Sequence, residues 1–312
     1  MKFLVMGATG FLGKRVVKRL NEEKVPFIPA SRSLGTDFRK PDEFEDIFKK
    51  HGDITHILNL ATFIGGIQFG LEHPGEIYYN NSLINTYMFE LARKYRVQRI
   101  VNPISNCSYP RDVRGSYKET EWWNGEFDPS VMVYGFIRKG SWIQSWAYYK
   151  QYGLKTINLI VPNMYGPDDH FEEVRSHALS ALIMKIATAK IKKQPEVVVW
   201  GTGKPVREWL YVDDCVEAIM RSITISHFEY PVNIGIGYGV SISELAEIIK
   251  KKIGYEGKLV YDATKPDGAP YKVMDISLCK KVFGWVPQTS LVEGISKTIA
   301  WYQSNMTNQK KK

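Results

Sequence analysis

Short apolar runs alternate along the first half of the chain with longer stretches whose polar and apolar positions recur at helical spacing. The runs are FLVM at Phe3, PFIPAS ending at Ser31, HILNLA from His56, RIVNPIS from Arg99 and TINLIVP from Thr156. Between them lie amphipathic stretches such as KRVVKRLNEE and NTYMFELARKY. Strands that are apolar on both faces, each followed by a helix, predict a doubly wound parallel sheet covered on both sides. This α/β unit is expected over residues 1–163. After Pro162 the rhythm changes to the loop NMYGPDDHFEEVRSH, a helix through ALSALIMKIATAK, the segment VVVWGTGKPVREWLYVDD, a strand in PVNIGIG and a helix in SISELAEIIKKKIG, with Ser241 or Ser243 as its cap. A smaller C-terminal α+β lobe is therefore expected from 164–206 and 236–312, with segments near 207–235 returning to the first.

With 312 residues of which 44% are hydrophobic, the chain can bury one large core or two unequal ones. The formal charge of +9 would suit nucleic acid if it were concentrated, but Lys and Arg are dispersed and the dense run is the tail Lys310 to Lys312. Polyanionic small molecules account for the surplus better. Cys107, Cys215 and Cys279 are odd in number and widely spaced, which argues against a disulfide framework and a zinc site. A reducing cytoplasm is expected, with no secretory core near Met1 and no apolar run approaching the roughly 18 residues of a membrane span.

Gly7, Gly10 and Gly13 fall between the first strand and the first helix. Glycines there let the backbone turn sharply and approach a pyrophosphate, whose charge sits at the helix N-terminus. The loop makes Gly7, Thr9, Gly10, Phe11, Leu12 and Gly13 candidate cofactor contacts, with Ala61 after the third strand, and marks the sheet as a Rossmann fold. At the end of the second strand stand Ser31, Arg32 and Ser33, where an acid would favour NAD. A guanidinium beside hydroxyls suits a 2′-phosphate, so NADP (NADPH) is the expected cofactor, with Asp37 placed toward the adenine.

Residues 133–141 read VYGFIRKGS. Reducing a ketone needs a proton donor for the developing alkoxide, and a phenol of ordinary pKa about 10 serves near neutrality only beside a cation. At about 100° per residue Arg138 lies roughly 40° round a helix from Tyr134, whereas Lys139 lies about 140° away. At about 4 Å and an effective dielectric near 20 such a charge acts with roughly 4 kcal/mol. Arginine can supply it, but has no removable proton for a relay. Ser105 and Cys107 stand two apart at the end of the fourth strand, so an extended backbone turns both side chains the same way.

At these positions the chain resembles the extended short-chain dehydrogenase/reductases, and among them the GDP-L-fucose synthase group of GDP-4-keto-6-deoxymannose 3,5-epimerase-4-reductases. The resemblance rests on GATGFLG, IGGIQ, SNCSYP, the tyrosine of VYGFIRK, PNMYGPDDHF with Ser176-His177, VVVWGTGKPVREWLYVDD and KPDGAPYKVMD. It implies that Ser105 and Tyr134 polarise and protonate a C4 carbonyl oxygen, and that Cys107 and His177 form the acid/base pair for epimerisation at C3 and C5. It further implies that Asn163, Lys185, Trp200, Arg207 and Lys272 line the GDP-sugar pocket. A homodimer is implied too, with the helices containing Tyr87 to Tyr95 and Tyr134 to Tyr149 in contact. The chain departs from the group in Arg138 for lysine, in Thr9 within the glycine loop, and in Asn59-Leu60-Ala61-Thr62. Two alternatives follow: a C4-only reductase of a related GDP-keto-sugar, including heptose derivatives, and a non-catalytic nucleotide-binding protein.

Overall fold

In the computed structural model, residues 1–309 are described except 114, 173–175, 226–227 and 266. Five strands, β1 (Phe3–Met6), β2 (Phe27–Ala30), β3 (His56–Asn59), β4 (Arg99–Ser105) and β5 (Lys155–Val161), match the apolar runs, and each is parallel to its neighbours. A sixth, Val232–Asn233, pairs with β5, so the chain returns to the first sheet after visiting the second lobe. The order across the sheet is Val232–Asn233, β5, β4, β3, β1, β2. The chain leaves β1 toward one edge and resumes on its other side, so a crevice opens beyond the C-terminal ends of β1 and β3.

The helices in chain order are α1 (Phe11–Glu22), α2 (Pro41–Lys50), α3 (Ile67–Glu72), α4 (Pro74–Lys94), α5 (Met132–Tyr152), α6 (Ala178–Ile191), α7 (Val212–Ser222), α8 (Ile242–Ile253), α9 (Ser277–Phe283) and α10 (Leu291–Gln309). One face of the sheet is covered by apolar residues of α1 and α7, such as Val16, Leu20, Val216 and Ile219, and the other by α2 and α4, with Phe44, Phe48, Met88 and Phe89. A separate core joins α6, α8 and α10 to the strands Glu196–Trp200 and Trp209–Tyr211. Ser241 is the cap of α8: its Oγ accepts from the Glu244 backbone at 3.1 Å, while the Glu244 carboxylate accepts from the Ser241 backbone at 2.7 Å. Among the described residues no helix is long and apolar enough to cross a membrane.

The fifth helix inverts the usual arrangement. Its buried positions are Gly135, Ile137, Arg138, Lys139, Ser141 and Ser145, while Met132, Phe136, Ile143 and Trp146 are exposed. Apolar contacts of Ile137, Trp142 and Tyr148 are joined by hydrogen bonds that hold it to the sheet. Asn59 Nδ2 donates to Asn102 Oδ1, and Asn102 Nδ2 donates to both Asn158 Oδ1 and Ser141 Oγ, all at 2.9 Å. Asn158 Nδ2 then donates to Ser145 Oγ at 3.0 Å. The asparagines come from β3, β4 and β5, so one polar ladder runs under the helix across three strands.

Where the strands of the second lobe approach the first, Glu208 is fully buried. Its carboxylate accepts from the backbone N–H groups of Ile236, Gly237 and Met274. Burial pushes its pKa up to about 7, although the three donors favour the charged form. The contact fastens the strand Val206–Arg207 to the segment after the returning strand and to Tyr271–Lys272.

Replacing Asn102 by Leu strips partners from Asn59, Asn158 and Ser141. It is expected to cost about 3 kcal/mol of stability, read as a lower urea midpoint. An unchanged midpoint would show that the ladder contributes nothing.

Candidate active site

The glycine loop closes as its residue types require. Gly7 has φ +77°, and a Cβ there would stand 2.7 Å from the Leu60 carbonyl oxygen and 2.9 Å from Ala61 N. A Cβ on Gly13 would lie 2.0 Å from the Gly7 carbonyl oxygen. The turn is therefore pressed against both α1 and the segment after β3, with Gly10 at the N-cap of α1 and Phe11 and Leu12 in its first turn. Beside it, Thr9 Oγ1 lies 3.0 Å from Ser31 Oγ and 2.8 Å from Ser33 Oγ, and the two serine hydroxyls are 3.0 Å apart. Arg32 is exposed between those serines. This cradle, free of side chains at the glycines and ringed by hydroxyls and a cation, fits a dinucleotide carrying an additional phosphate. Asp37, expected near the adenine, forms an ion pair with Arg39, whose hydrogen bonds hold its carboxyl down at about 2.

Tyr134 stands in the first turn of α5. Its hydroxyl lies 3.4 Å from Thr62 Oγ1, and Thr62 donates to Asn81 Oδ1 at 3.1 Å. Asn81 also accepts from the Phe63 backbone and donates to the Phe63 carbonyl, so it holds the whole turn after β3. Sequence reading marks Thr62 only as a departure and misses Asn81. Arg138 is 4% exposed, with its guanidinium carbon 4.9 Å from the centroid of the Tyr134 ring. Its Nε is buried with no hydrogen-bond partner among the described residues. A buried donor left unpaired beside a nucleotide cradle fits a bound group that accepts from it.

Lys139, also 4% exposed, faces elsewhere. Its ammonium donates to the Trp122 carbonyl oxygen and lies 5.3, 4.6 and 4.7 Å from the ring centroids of Trp122, Trp123 and Phe127. Burial pushes its pKa down to about 8. Two neighbouring cations thus enter different surroundings.

The extended geometry expected for Ser105 and Cys107 does not occur. The strand ends at Ser105, and Asn106–Ser108 form a tight 3₁₀ turn in which Ser105 Oγ accepts from the Cys107 backbone at 3.2 Å. The hydroxyl caps the turn, a local competition between side chain and strand that serine commonly wins. Cys107 is partly exposed, and Lys272 Nζ lies 4.0 Å from its sulfur. Lys272 pairs in register with Arg207, so their strands stand side by side. Arg207 donates to the carbonyl oxygens of Val206 and Asp267, and burial lowers its pKa against the pull of nearby Tyr117, Cys107, Asp128 and Asp267.

The other candidates lie in the second lobe. Asn163 is on a short strand paired with Trp209. Trp200 is 54% exposed, with the Lys185 and Lys265 ammonium groups 4.9 and 5.5 Å from its ring centroid. His177, half exposed, is the N-cap of α6, and its Nδ1 lies 3.6 Å from Oδ1 of the buried Asp169. Desolvation opposes the imidazolium, but the hydrogen bond and charge of Asp169 outweigh it and raise the pKa. No hydrogen bond or ion pair joins His177 to Cys107 among the described residues. Asp169 belongs to the PDDHF motif, the signal that could have marked it as a histidine partner. No group of His, Cys, Asp and Glu able to hold a metal occurs among the described residues.

Comparisons with known proteins show the family to which the chain belongs. Residues 3–235 match the model of the NAD dependent epimerase/dehydratase family. The chain is 34% identical over 312 residues to GDP-L-fucose synthase 1 of Arabidopsis thaliana, covering 99% of this chain and 95% of that one. It is 29% identical over 311 residues to GDP-L-colitose synthase of Yersinia pseudotuberculosis, covering 99% and 100%. Among solved structures, a GDP-6-OMe-4-keto-L-xylo-heptose reductase from C. jejuni superposes with a TM-score of 0.92 at 23% identity, over 97% of this chain and 98% of that one. With its glycine cradle, its Tyr134–Arg138 pair and a family match over most of its length, the chain belongs to the NAD dependent epimerase/dehydratase family, the extended short-chain dehydrogenase/reductases, and is an enzyme.

Proposed function

We propose that the protein is an NADPH-dependent 3,5-epimerase and 4-reductase of a GDP-4-keto-6-deoxy-hexose. The observation that carries this reading is the meeting of α5 with the turn after β4, which sets Tyr134 beside the segment bearing Ser105 and Cys107. A Cβ added at Gly135, the residue after Tyr134, would lie 2.3 Å from the Cys107 carbonyl oxygen. Full-length similarity to a GDP-L-fucose synthase supports the substrate class.

In this reading Gly7, Gly10 and Gly13 receive the pyrophosphate at the N-terminus of α1, with Thr9, Phe11, Leu12 and Ala61 around it. Arg32 with Ser31 and Ser33 receives the 2′-phosphate. NADPH, when bound, supplies the hydride for C4. The unpaired Nε of Arg138 would be available to donate to the bound cofactor. Arg207 and Lys272 neutralise the substrate diphosphate, while Asn163, Lys185 and Trp200 contact the rest of the GDP-sugar.

A C4 ketone acidifies the hydrogens on C3 and C5, because the carbanion is delocalised as an enolate. Cys107 and His177 exchange those protons from opposite sides, a thiol and an imidazole each being able to give and take a proton. Asp169 supports the imidazolium form of His177. Ser105 then donates a hydrogen bond to O4, and Tyr134 gives it a proton. Arg138 remains charged throughout and favours the phenolate left behind.

A second reading, C4 reduction without epimerisation, draws on the structural likeness to a GDP-6-OMe-4-keto-L-xylo-heptose reductase. The test is incubation with GDP-4-keto-6-deoxymannose in heavy water, first without cofactor and then with NADPH. Epimerase-reductase action gives deuterium at C3 and C5 before any NADPH is added, and a 6-deoxy-hexose reduced at C4 afterwards. Reduction with no deuterium at those carbons selects the second reading, and no reaction at all contradicts both.

Arg138→Lys keeps a cation one turn from Tyr134, so NADPH oxidation is expected to stay within about tenfold of wild type. A far larger loss would show that the planar guanidinium, not its charge, is required.

We further propose a homodimer formed through the outer faces of α5 and α4. The exposed rings of Phe136 and Tyr78 stack there at 6.4 Å, beside exposed Ile143 and Trp146. Ile143→Glu is expected to shift the sedimenting species from two chains to one, and a monomeric wild type would refute the dimer.

A further inference from the structure

Along α5 two pairs spaced by four residues lie side by side. Tyr134 and Arg138 form the first. Gly135 and Lys139 form the second, about 100° farther round the helix, and both face the segment that leaves β4. A Cβ on Gly135 would come within 2.3 Å of the Cys107 carbonyl oxygen and 3.0 Å of the Phe127 ring, so the thiol-bearing turn rests on bare helix backbone. Four residues on, the Lys139 ammonium donates to the Trp122 carbonyl and is enclosed by Trp122, Trp123 and Phe127.

From Trp122 the contact runs back to the turn. Trp122 Nε1 donates to Ser108 Oγ at 2.8 Å, and Ser108 Oγ donates to the Ser105 carbonyl at 2.7 Å. Ser105 Oγ accepts from the Cys107 backbone at 3.2 Å. Hydrogen bonds, joined through the covalent frames of Trp122 and Ser105, therefore link the ammonium to the residue that presents the thiol. Trp122 is 1% exposed, and Ser108 is fully buried. Filling that space with a charge is expensive, since a methionine of similar length would avoid the desolvation. What the ammonium adds is direction: it holds one carbonyl and meets the faces of the surrounding rings.

We propose that Gly135 and Lys139 are positioning residues that set where the Cys107 thiol stands, and that they do so separately from Tyr134 and Arg138, one helix holding thiol and phenol on adjoining faces. The functional side of this inference rests on the epimerase-reductase reading.

Lys139→Met keeps the stem and removes the charge, and Trp122→Phe keeps an aromatic ring and removes the bond to Ser108. The first measurement needs no substrate: the rate at which iodoacetamide alkylates Cys107 in the native protein, read on the cysteine-bearing peptide. Cys215 and Cys279 are buried and serve as internal controls for unfolding. Each variant is expected to change the Cys107 rate by about threefold or more, with Cys215 and Cys279 still protected. The second measurement compares half-reactions. Solvent exchange at C3 and C5 is expected to fall about tenfold, while NADPH oxidation on a 4-keto sugar that needs no epimerisation falls less than about twofold, because only the thiol has been misplaced. Unchanged alkylation in both variants overturns the proposal, as does an equal fall in exchange and oxidation. If wild type turns over no GDP-4-keto sugar, the proposed function is what fails, and alkylation alone decides the positioning.

Discussion

Everything at this site depends on how α5 is seated, and hydrogen bonds fix its rotation where apolar contacts of Ile137, Trp142 and Tyr148 alone would not. A helix held by apolar side chains can rotate or slide a little at small cost, because dispersion contacts have no preferred direction. The amides of Asn59, Asn102 and Asn158 and the hydroxyls of Ser141 and Ser145 allow no such freedom, since each loses a partner when the helix turns. Fixed rotation is what lets adjacent residues do different work. Tyr134 and Arg138 face one way and Gly135 and Lys139 the next, so small angular errors would mix the two environments. The same seating leaves Phe136, Ile143 and Trp146 outside.

The cations at 138 and 139 show how environment overrides residue type. Each is 4% exposed, yet one stacks on the Tyr134 ring and the other is boxed by Trp122, Trp123 and Phe127. A lysine close in sequence to the tyrosine proposed as proton donor invites a catalytic role. Its bond to the Trp122 carbonyl instead makes it a tether for the thiol-bearing turn. Arginine, which cannot lose its proton, is left as the cation beside the phenol.

Much of the fold was legible because its signals are local. The apolar runs at Phe3, ending at Ser31, and from His56, Arg99 and Thr156 became the central strands, and the glycines at 7 and 13 lie where a Cβ would collide with backbone. Helical angle alone correctly separated Arg138 from Lys139. The long-range contacts were not legible. Ser105 and Cys107 look like strand neighbours until the serine hydroxyl caps a turn, and nothing near position 139 in the chain names Trp122 as its partner. The asparagine ladder left a faint trace, one asparagine within each of the runs HILN, RIVN and TIN, overlooked because an interior asparagine within a single strand has no visible partner.

The claim that proton donation and proton exchange are set by separate faces of one helix is tested most directly in Arg138→Met. With GDP-4-keto-6-deoxymannose, both NADPH oxidation and solvent exchange at C3 and C5 would be measured in that one variant. Loss of the cation beside Tyr134 should slow oxidation about 10²-fold and leave exchange within about twofold. A comparable fall in both rates, or oxidation at the wild-type rate, would contradict the account.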